Sequence, residues 1–118
     1  MIHGTRATSY ADDALELGPN DPIALYNAAG NRFYTPEQWG GDKQAAIDLL
    51  EKALAATSEA GKEDWYYLAT LALLGEAKTA TGDYAGARRT YAAALAAEPE
   101  YVYVKDVLLP RLEAKAGK

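Results

Sequence analysis

Few residues in this chain have side chains suited to covalent or acid–base chemistry, and none stands in a catalytic pattern. His3 is the only histidine, and without cysteine there is no set of nitrogen and sulfur donors to complete a metal site. Ser9 and Ser58 are the only serines, and neither is flanked by the glycines of a nucleophile elbow. The sequence therefore predicts a protein that is not an enzyme and that needs no cofactor and no metal.

Two acidic pairs, Asp12-Asp13 and Glu63-Asp64, are the remaining candidates for acid–base work. Adjacent residues on a helix point about 100° apart, so neighbouring carboxylates do not converge on one substrate. A solvated or helix-capping role is the favoured interpretation for both pairs. Gly40-Gly41 is interpreted as a turn before a capping aspartate, because it has none of the spacing of a phosphate-binding loop.

The composition limits the partners that the chain can have. Its 118 residues fit one domain, and 17 acidic against 12 basic side chains give a formal charge of -5. A negative chain is repelled by phosphate backbones and anionic lipid headgroups, so nucleic acid and membrane are not expected partners. The start of the sequence lacks a signal-peptide pattern, and a soluble protein is expected, with the cytoplasm favoured over the periplasm.

The elements that must position any binding residues are helices. In the segment from 84 to 97, small and large apolar residues recur at helical spacing on one face. Asp83 stands where an N-cap is needed, Gly82 supplies a permissive backbone before it, and Pro99 cannot continue the helix. The pattern predicts an amphipathic helix over these residues.

The same pattern recurs upstream at intervals of 41 and 39 residues. Ala46 and Leu50 follow Gly41-Asp42 as Ala87 and Tyr91 follow Gly82-Asp83, and a third copy covers residues 5 to 17. Other helical patterns lie between the copies, over 22 to 34, opened by Asp21-Pro22, and over 64 to 81. Together they predict an all-helical repeat protein.

These residues resemble the tetratricopeptide repeat, a helix–turn–helix with the signature W-x2-L-G-x2-Y, A-x3-F, P. The small positions of that signature lie where two helices cross closely, and the large positions fill the space on either side. The last copy has the matching residues Leu71, Leu74, Gly75, Lys78, Ala87, Tyr91 and Pro99, and the middle copy has Tyr26, Ala29, Gly30, Phe33, Ala46, Leu50 and Ser58.

The resemblance implies an α-solenoid, a right-handed superhelix of antiparallel helix pairs with about six helices. The units would be a half unit at 5–18, whole units at 22–57 and 64–98, and a capping helix at 101–116. Two surplus segments, Thr35 to Gly40 and Thr57 to Asp64, account for the long intervals. In the last helix Val104, Leu108 and Leu112 would pack on the preceding unit, and Pro110 would kink or restart the helix.

Members of this family bind peptides in a groove lined by the first helix of each unit. In the middle unit two alignments are possible, because Ala28-Ala29-Gly30 offers more than one small position. A solvated helix face is the alternative for each polar residue, and half-buried packing is the favoured alternative for the two tyrosines. Carried over by position, the groove residues are Asn27, Asn31, Tyr34, Ala72, Glu76, Thr79, Tyr103 and Asp106.

The expected function is a protein–protein interaction module for a neutral or basic peptide or protein segment, since Glu76 and Asp106 bring negative charge to the groove. A clamp for a terminal carboxylate is disfavoured because the required basic residues are missing from these positions. Trp39 is a possible loop contact, although an indole folded back over the helices is the favoured interpretation. The alternative function is self-assembly as a homo-oligomer through the unpaired terminal helices.

Overall fold

The computed structural model describes residues 21 to 117, and within that range every element is helical and no strand occurs. The chain divides after Ser58 into two compact units, called unit 1 and unit 2 below. The predicted half unit at 5–18 lies outside the described residues. The helices are α1 (Pro22–Tyr34), α2 (Lys43–Ala56), α3 (Trp65–Ala80), α4 (Tyr84–Ala97) and α5, which is π-helical over Tyr103–Leu108 and α-helical over Leu109–Ala116.

Aspartate caps start three of these helices where the sequence predicts them. The Asp21 carboxylate accepts from the Ile23 N–H at 3.1 Å, and Pro22 occupies the first turn. Asp42 accepts from Ala45 N–H at 3.0 Å, and Asp83 accepts from Gly86 N–H at 2.9 Å. Each cap satisfies a backbone donor that has no partner within its helix. The predicted bounds of α1 and α4 are confirmed for this reason.

Unit 1 is a hairpin of α1 and α2, which pack against each other. Its buried side chains are mostly alanines, which allow the two backbones to approach closely. They are Ala24, Leu25, Ala28, Ala29, Ala46, Ile47, Leu50 and Ala53. The small-residue pattern of the sequence therefore forms the core of this unit.

The surplus segment between α1 and α2 is a loop closed by backbone hydrogen bonds. It contains a short 3₁₀ turn, Glu37–Trp39, that ends at Gly40 in the left-handed conformation with φ of 102°. Asp42 N–H donates to Arg32 O at 2.9 Å, which ties the end of the loop back to α1. Gly41 lies against the backbone of Thr35, where a Cβ would overlap the Thr35 carbonyl. Only glycine fits that close approach.

Unit 2 is built on the hairpin of α3 and α4. Gly82 joins the helices in the left-handed conformation, with φ of 90°, and Asp83 N–H donates to Lys78 O at 2.8 Å. The two helices cross at Gly75, whose Cα faces the ring of Tyr91 so closely that a Cβ would overlap the ring. The predicted crossing at this glycine is confirmed.

The C-terminal helix α5 packs against both α3 and α4. Val104, Leu108 and Leu112 are almost completely buried, as the sequence predicts. Pro110 lacks an N–H, and the turns before it are π-helical, with Leu109 N–H donating to Val104 O. The helix therefore changes its hydrogen bonding at the proline and continues beyond it.

Candidate functional site

In unit 1 the predicted groove residues are accessible to different extents. Asn27 and Tyr34 are exposed on α1, whereas Asn31 is half-buried. Tyr34 packs edge-on against Phe33, with ring centroids 4.8 Å apart. The two asparagines and the tyrosine remain candidates for partner contact.

The small position of α1 falls at Ala29 and not at Gly30. Ala29 is fully buried and stands five residues before the end of α1, as Gly75 does before the end of α3. A Cβ on Gly30 would meet no described atom within 4 Å. Counted from the helix ends, Gly30 in α1 therefore corresponds to Glu76 in α3, and Asn31 corresponds to Ala77.

Trp39 is 64% exposed at the end of the 3₁₀ turn. The favoured expectation, that its indole folds back over the helix pair, is wrong. The turn is held by Trp39 N–H donating to Pro36 O at 2.9 Å and Gly40 N–H donating to Glu37 O at 3.1 Å. These bonds hold the backbone of the turn that carries the exposed indole.

Two predicted groove residues of α3 are buried. Ala72 is 4% exposed and Thr79 is 9% exposed, so neither offers accessible surface to a ligand. The Thr79 hydroxyl donates to Gly75 O at 2.8 Å within the helix. The prediction of partner contact at these two positions is therefore wrong. The physical reason is that α3 is buried over most of its circumference, so no exposed stripe extends along it.

Glu76 and Tyr103, which the sequence assigns to one groove, are brought together by the packing of α5 on α3. Glu76 is half-buried on α3, and the Tyr103 phenol approaches its carboxylate as a hydrogen-bond donor. Tyr103 itself is exposed on α5. The shared binding role of Glu76 and Tyr103 stays a prediction.

Arg111 on α5 is the neighbour that the sequence reasoning missed. Its guanidinium attracts the Glu76 carboxylate and is itself exposed. The two residues are 35 positions apart, so no local spacing links them. Only the direction in which α5 returns across α3 brings them together.

The π-helical turns of α5 place Tyr103 and Arg111 close to one face of the helix. In a regular α-helix, residues eight apart are rotated by about 80° around the axis. One extra residue in a π-helical turn makes the same pair equivalent to residues seven apart, which are rotated by about 20°. The same correction keeps the three buried residues at 104, 108 and 112 on one face.

Burial is the main influence on the Glu76 carboxyl. It raises the pKa of Glu76 above the ordinary value of 4.5, because removal of water disfavours the charged form. The positive charge of Arg111 and the hydrogen bond from Tyr103 act in the opposite direction and do not overcome it. The carboxylate is therefore held in a site that only partly stabilises its charge.

Tyr91 lies at the inner end of the same group of polar side chains. Burial raises its pKa to about 12, while a hydrogen bond with Thr79 opposes the shift. The charges of Glu76, Tyr103 and Arg111 also act on this phenol. We call Glu76, Thr79, Tyr91, Tyr103 and Arg111 the Glu76 cluster.

Asp106, the remaining predicted groove residue, is exposed on α5 within the π-helical segment. It adds a second carboxylate to the helix that carries Tyr103. The structure assigns it no contact with Glu76, and its binding role stays a prediction.

The chemistry available to the Glu76 cluster is recognition by charge and hydrogen bonding. Among residues 21 to 117, no group of three or more histidine, cysteine or acidic side chains is placed to hold a metal ion. Within the same part of the chain, no helix combines the length and apolar character needed to cross a membrane. The accessible groups of the cluster are a phenol and a guanidinium beside a half-buried carboxylate.

Comparisons with protein-family models, with curated proteins and with solved structures found no match to this chain. The function is therefore inferred from the chemistry of the described residues.

Proposed function

We propose that this protein is a non-catalytic protein–protein interaction module that binds a segment of its partner at the Glu76 cluster. The observation that carries the proposal is a half-buried carboxylate on α3 that is influenced by an exposed tyrosine and by the charge of an exposed arginine, both on the packed helix α5. A neutral or basic peptide or protein segment is the proposed ligand. No cofactor, metal, nucleic acid or membrane is part of the proposal.

The position of Glu76 in the fold supports a role other than stability. Residues 70 to 75 and 77 of α3 are buried and mostly apolar, and Glu76 interrupts them. A carboxyl whose pKa is raised by burial destabilises the folded state when it is ionised. Groups that oppose folding in this way are concentrated at binding and catalytic sites.

Exposed aromatic side chains supply a further contact surface in unit 1. Tyr34 and Trp39 both present most of their area to solvent, and the loop that carries Trp39 is fixed by backbone hydrogen bonds. An aromatic side chain has few rotatable bonds and loses little conformational entropy on binding, which is one reason why tryptophan and tyrosine are frequent at the centres of interfaces. We propose that these two residues form a separate contact surface of unit 1.

The finer architecture belongs to the same proposal. The two hairpins, their small crossing residues and their aspartate caps are consistent with tetratricopeptide-like units. In that arrangement the units would stack as a right-handed superhelix of about six helices, and the first helices would line the binding groove.

A selection of random octapeptides on the immobilised wild-type chain tests the binding function. A selected peptide is then titrated into the isotope-labelled protein, and we expect the largest amide shifts around Glu76, Tyr103 and Arg111. Glu76→Arg should abolish binding. The matched control is Glu63→Arg, which makes the same charge change at an exposed residue of unit 2 and should bind normally.

Two results would contradict this assignment. If no peptide is enriched on the folded chain, the binding function is wrong. If Asn31→Arg abolishes binding and Glu76→Arg does not, the site lies in unit 1 and not at the Glu76 cluster.

Self-assembly is the second candidate function, and one observation favours it. Val102 and Val107, at the start of α5, are 54% and 36% exposed although both are apolar. We expect sedimentation of the wild-type chain to become concentration-dependent between micromolar and millimolar if these residues pair between molecules. Val102→Gln with Val107→Gln should then restore a monomer, and a wild-type chain that is monomeric throughout would exclude this function.

A further inference from the structure

We infer that Tyr34, Pro36 and Trp39 form a stacking surface for an uncharged, proline-rich segment of a partner protein. We call these three residues the Trp39 surface. The inference rests on the proposed function, because it names the ligand of the separate contact surface of unit 1. It concerns unit 1 alone, so it can be tested independently of the Glu76 cluster.

The first step is the backbone of the turn that carries Trp39, which is closed by three hydrogen bonds. Trp39 N–H and Gly41 N–H donate to Pro36 O at 2.9 and 3.0 Å. Gly40 N–H donates to Glu37 O at 3.1 Å, and Gly40 has the left-handed conformation. Together these features form a Schellman motif, in which a glycine of positive φ ends a helical turn. The backbone under the indole therefore needs no ordering when a ligand binds.

The second step is the placement of the three rings around one backbone contact. Gly41 lies so close to Thr35 that a Cβ would overlap the Thr35 carbonyl. Tyr34 is adjacent to Thr35 in the chain, and Trp39 is only two residues before Gly41. Pro36 and Trp39 are the two ends of one hydrogen-bonded turn, so their Cα atoms lie within about 7 Å of each other. Tyr34 is 68% exposed, Trp39 is 64% exposed, and Pro36 is exposed between them.

The third step selects the class of ligand from the shape of this surface. Within residues 21 to 117 no strand occurs, so that part of the chain offers no sheet edge for an added strand. Residues 36 to 40 are all exposed, so the turn offers ring faces to a ligand. Proline-rich segments bind to exposed aromatic rings and are already ordered as polyproline II helices. Their backbone carbonyls have no internal partners and can accept from an indole N–H.

The fourth step concerns the charge of the ligand. The ionised side chains next to the turn balance each other in number, with Glu37 and Asp42 against Arg32 and Lys43. Lys43 Nζ lies 5.6 Å from the centroid of the Phe33 ring, and the Asp42 carboxylate caps α2. Since neither sign of charge is in excess here, an uncharged segment is favoured over a basic or an acidic one.

The experiment titrates decaproline into the isotope-labelled wild-type chain, with a decapeptide of alternating glycine and serine as the reference probe. We expect decaproline alone to shift the Trp39 indole N–H and the amides of residues 34 to 41, equally in low salt and in 1 M NaCl. Trp39→Ala should weaken decaproline binding roughly tenfold. Trp65→Ala is the matched control, because Trp65 is 65% exposed in unit 2 and its removal should leave binding unchanged.

A second pair of variants tests the ordered turn while keeping the indole. Gly40→Ala strains the backbone at a φ of 102° and should weaken decaproline binding several-fold. Gly82→Ala introduces the same kind of strain at a φ of 90° in unit 2 and should leave decaproline binding unchanged. Circular dichroism confirms that each variant is folded.

The inference is overturned if decaproline fails to bind the wild-type chain at millimolar concentration. It is also overturned if Trp39→Ala or Gly40→Ala binds decaproline as tightly as wild type. Loss of a concentration-dependent self-association in Trp39→Ala would overturn it too, since a second copy of the chain would then occupy the surface. Each of these results leaves binding at the Glu76 cluster intact, and that function is tested separately by Glu76→Arg.

Discussion

Gly75 on α3 and Tyr91 on α4 are in such close contact that the tyrosine ring occupies the space where a side chain at residue 75 would begin. The contact fixes where the two helices of unit 2 cross. It also positions the Tyr91 hydroxyl toward Thr79 and the rest of the Glu76 cluster. The hairpin of unit 2 and its candidate site therefore depend on the same glycine.

Gly75→Ala should destabilise the protein, because the new methyl group overlaps the Tyr91 ring and forces it to move. We expect a loss of about 1–3 kcal/mol, the usual effect of overpacking a core, reduced by the better helix propensity of alanine. Urea denaturation followed by circular dichroism measures the change. The control is Gly30→Ala on α1, where the methyl group has space, and a gain of about 0.5–1 kcal/mol is expected. Equal effects at the two glycines would contradict the crossing at Gly75.

The pH dependence of stability should show the burial of Glu76. A carboxyl with a raised pKa in the folded state favours folding most below its unfolded pKa of about 4.5, and this contribution is lost as the pH rises through the folded value. Glu76→Gln should therefore gain stability relative to wild type at neutral pH, and the difference should shrink as the pH falls toward 3.5. Denaturant midpoints of both proteins from pH 3.5 to 7 measure this. A constant difference across that range would mean that Glu76 does not titrate abnormally.

Each aspartate cap should contribute measurably to the free energy of unfolding. Asp42→Ala and Asp83→Ala remove the acceptors of Ala45 N–H and Gly86 N–H, and each should reduce the free energy of unfolding by about 1 kcal/mol. Asp64 stands at the same position before α3 but forms no side-chain cap bond. Asp64→Ala should change stability by less than about 0.5 kcal/mol in the same thermal-unfolding series. A comparable loss at all three positions would show that charge, and not the hydrogen bond, is responsible.

The ion pair between Arg88 and Glu113 should contribute little to stability despite its good geometry. Both side chains are about half exposed, so water and salt screen their attraction. A double-mutant cycle with Arg88→Ala and Glu113→Ala should give a small coupling energy that decreases in 1 M NaCl. A larger, salt-independent coupling would mean that the pair is essential for the docking of α5 on α4.

Local features of the fold could be predicted from the sequence because they depend on residues only a few positions apart. The caps at Asp21 and Asp83 satisfy donors two or three residues ahead, and Pro110 alters the hydrogen bonding of its own helix. The buried face of α5 follows from apolar residues repeated at every fourth position. Helix bounds belong to this class, whereas the crossing at Gly75 was expected from the resemblance to the repeat signature.

Only part of the candidate site could be predicted from the sequence. Glu76 and Tyr103 were assigned to one surface from their places in the repeat, and the structure brings them together. Ala72 and Thr79 were placed on that surface by the same rule, yet they are buried. A repeat pattern gives the face of the helix on which a residue lies, whereas the exposure of that residue depends on what packs against that face.

The sequence by itself determined where the helices of the described chain begin and end, whereas it left the small position of α1 open between Ala29 and Gly30. It determined the helix bounds because hydrogen bonds at helix ends and the period of apolar residues are local properties of the chain. Only the tertiary structure decided that Arg111 lies beside Glu76 and that Trp39 points into solvent. Those outcomes depend on the path of one segment over another many residues away, and no spacing along the chain encodes that path directly.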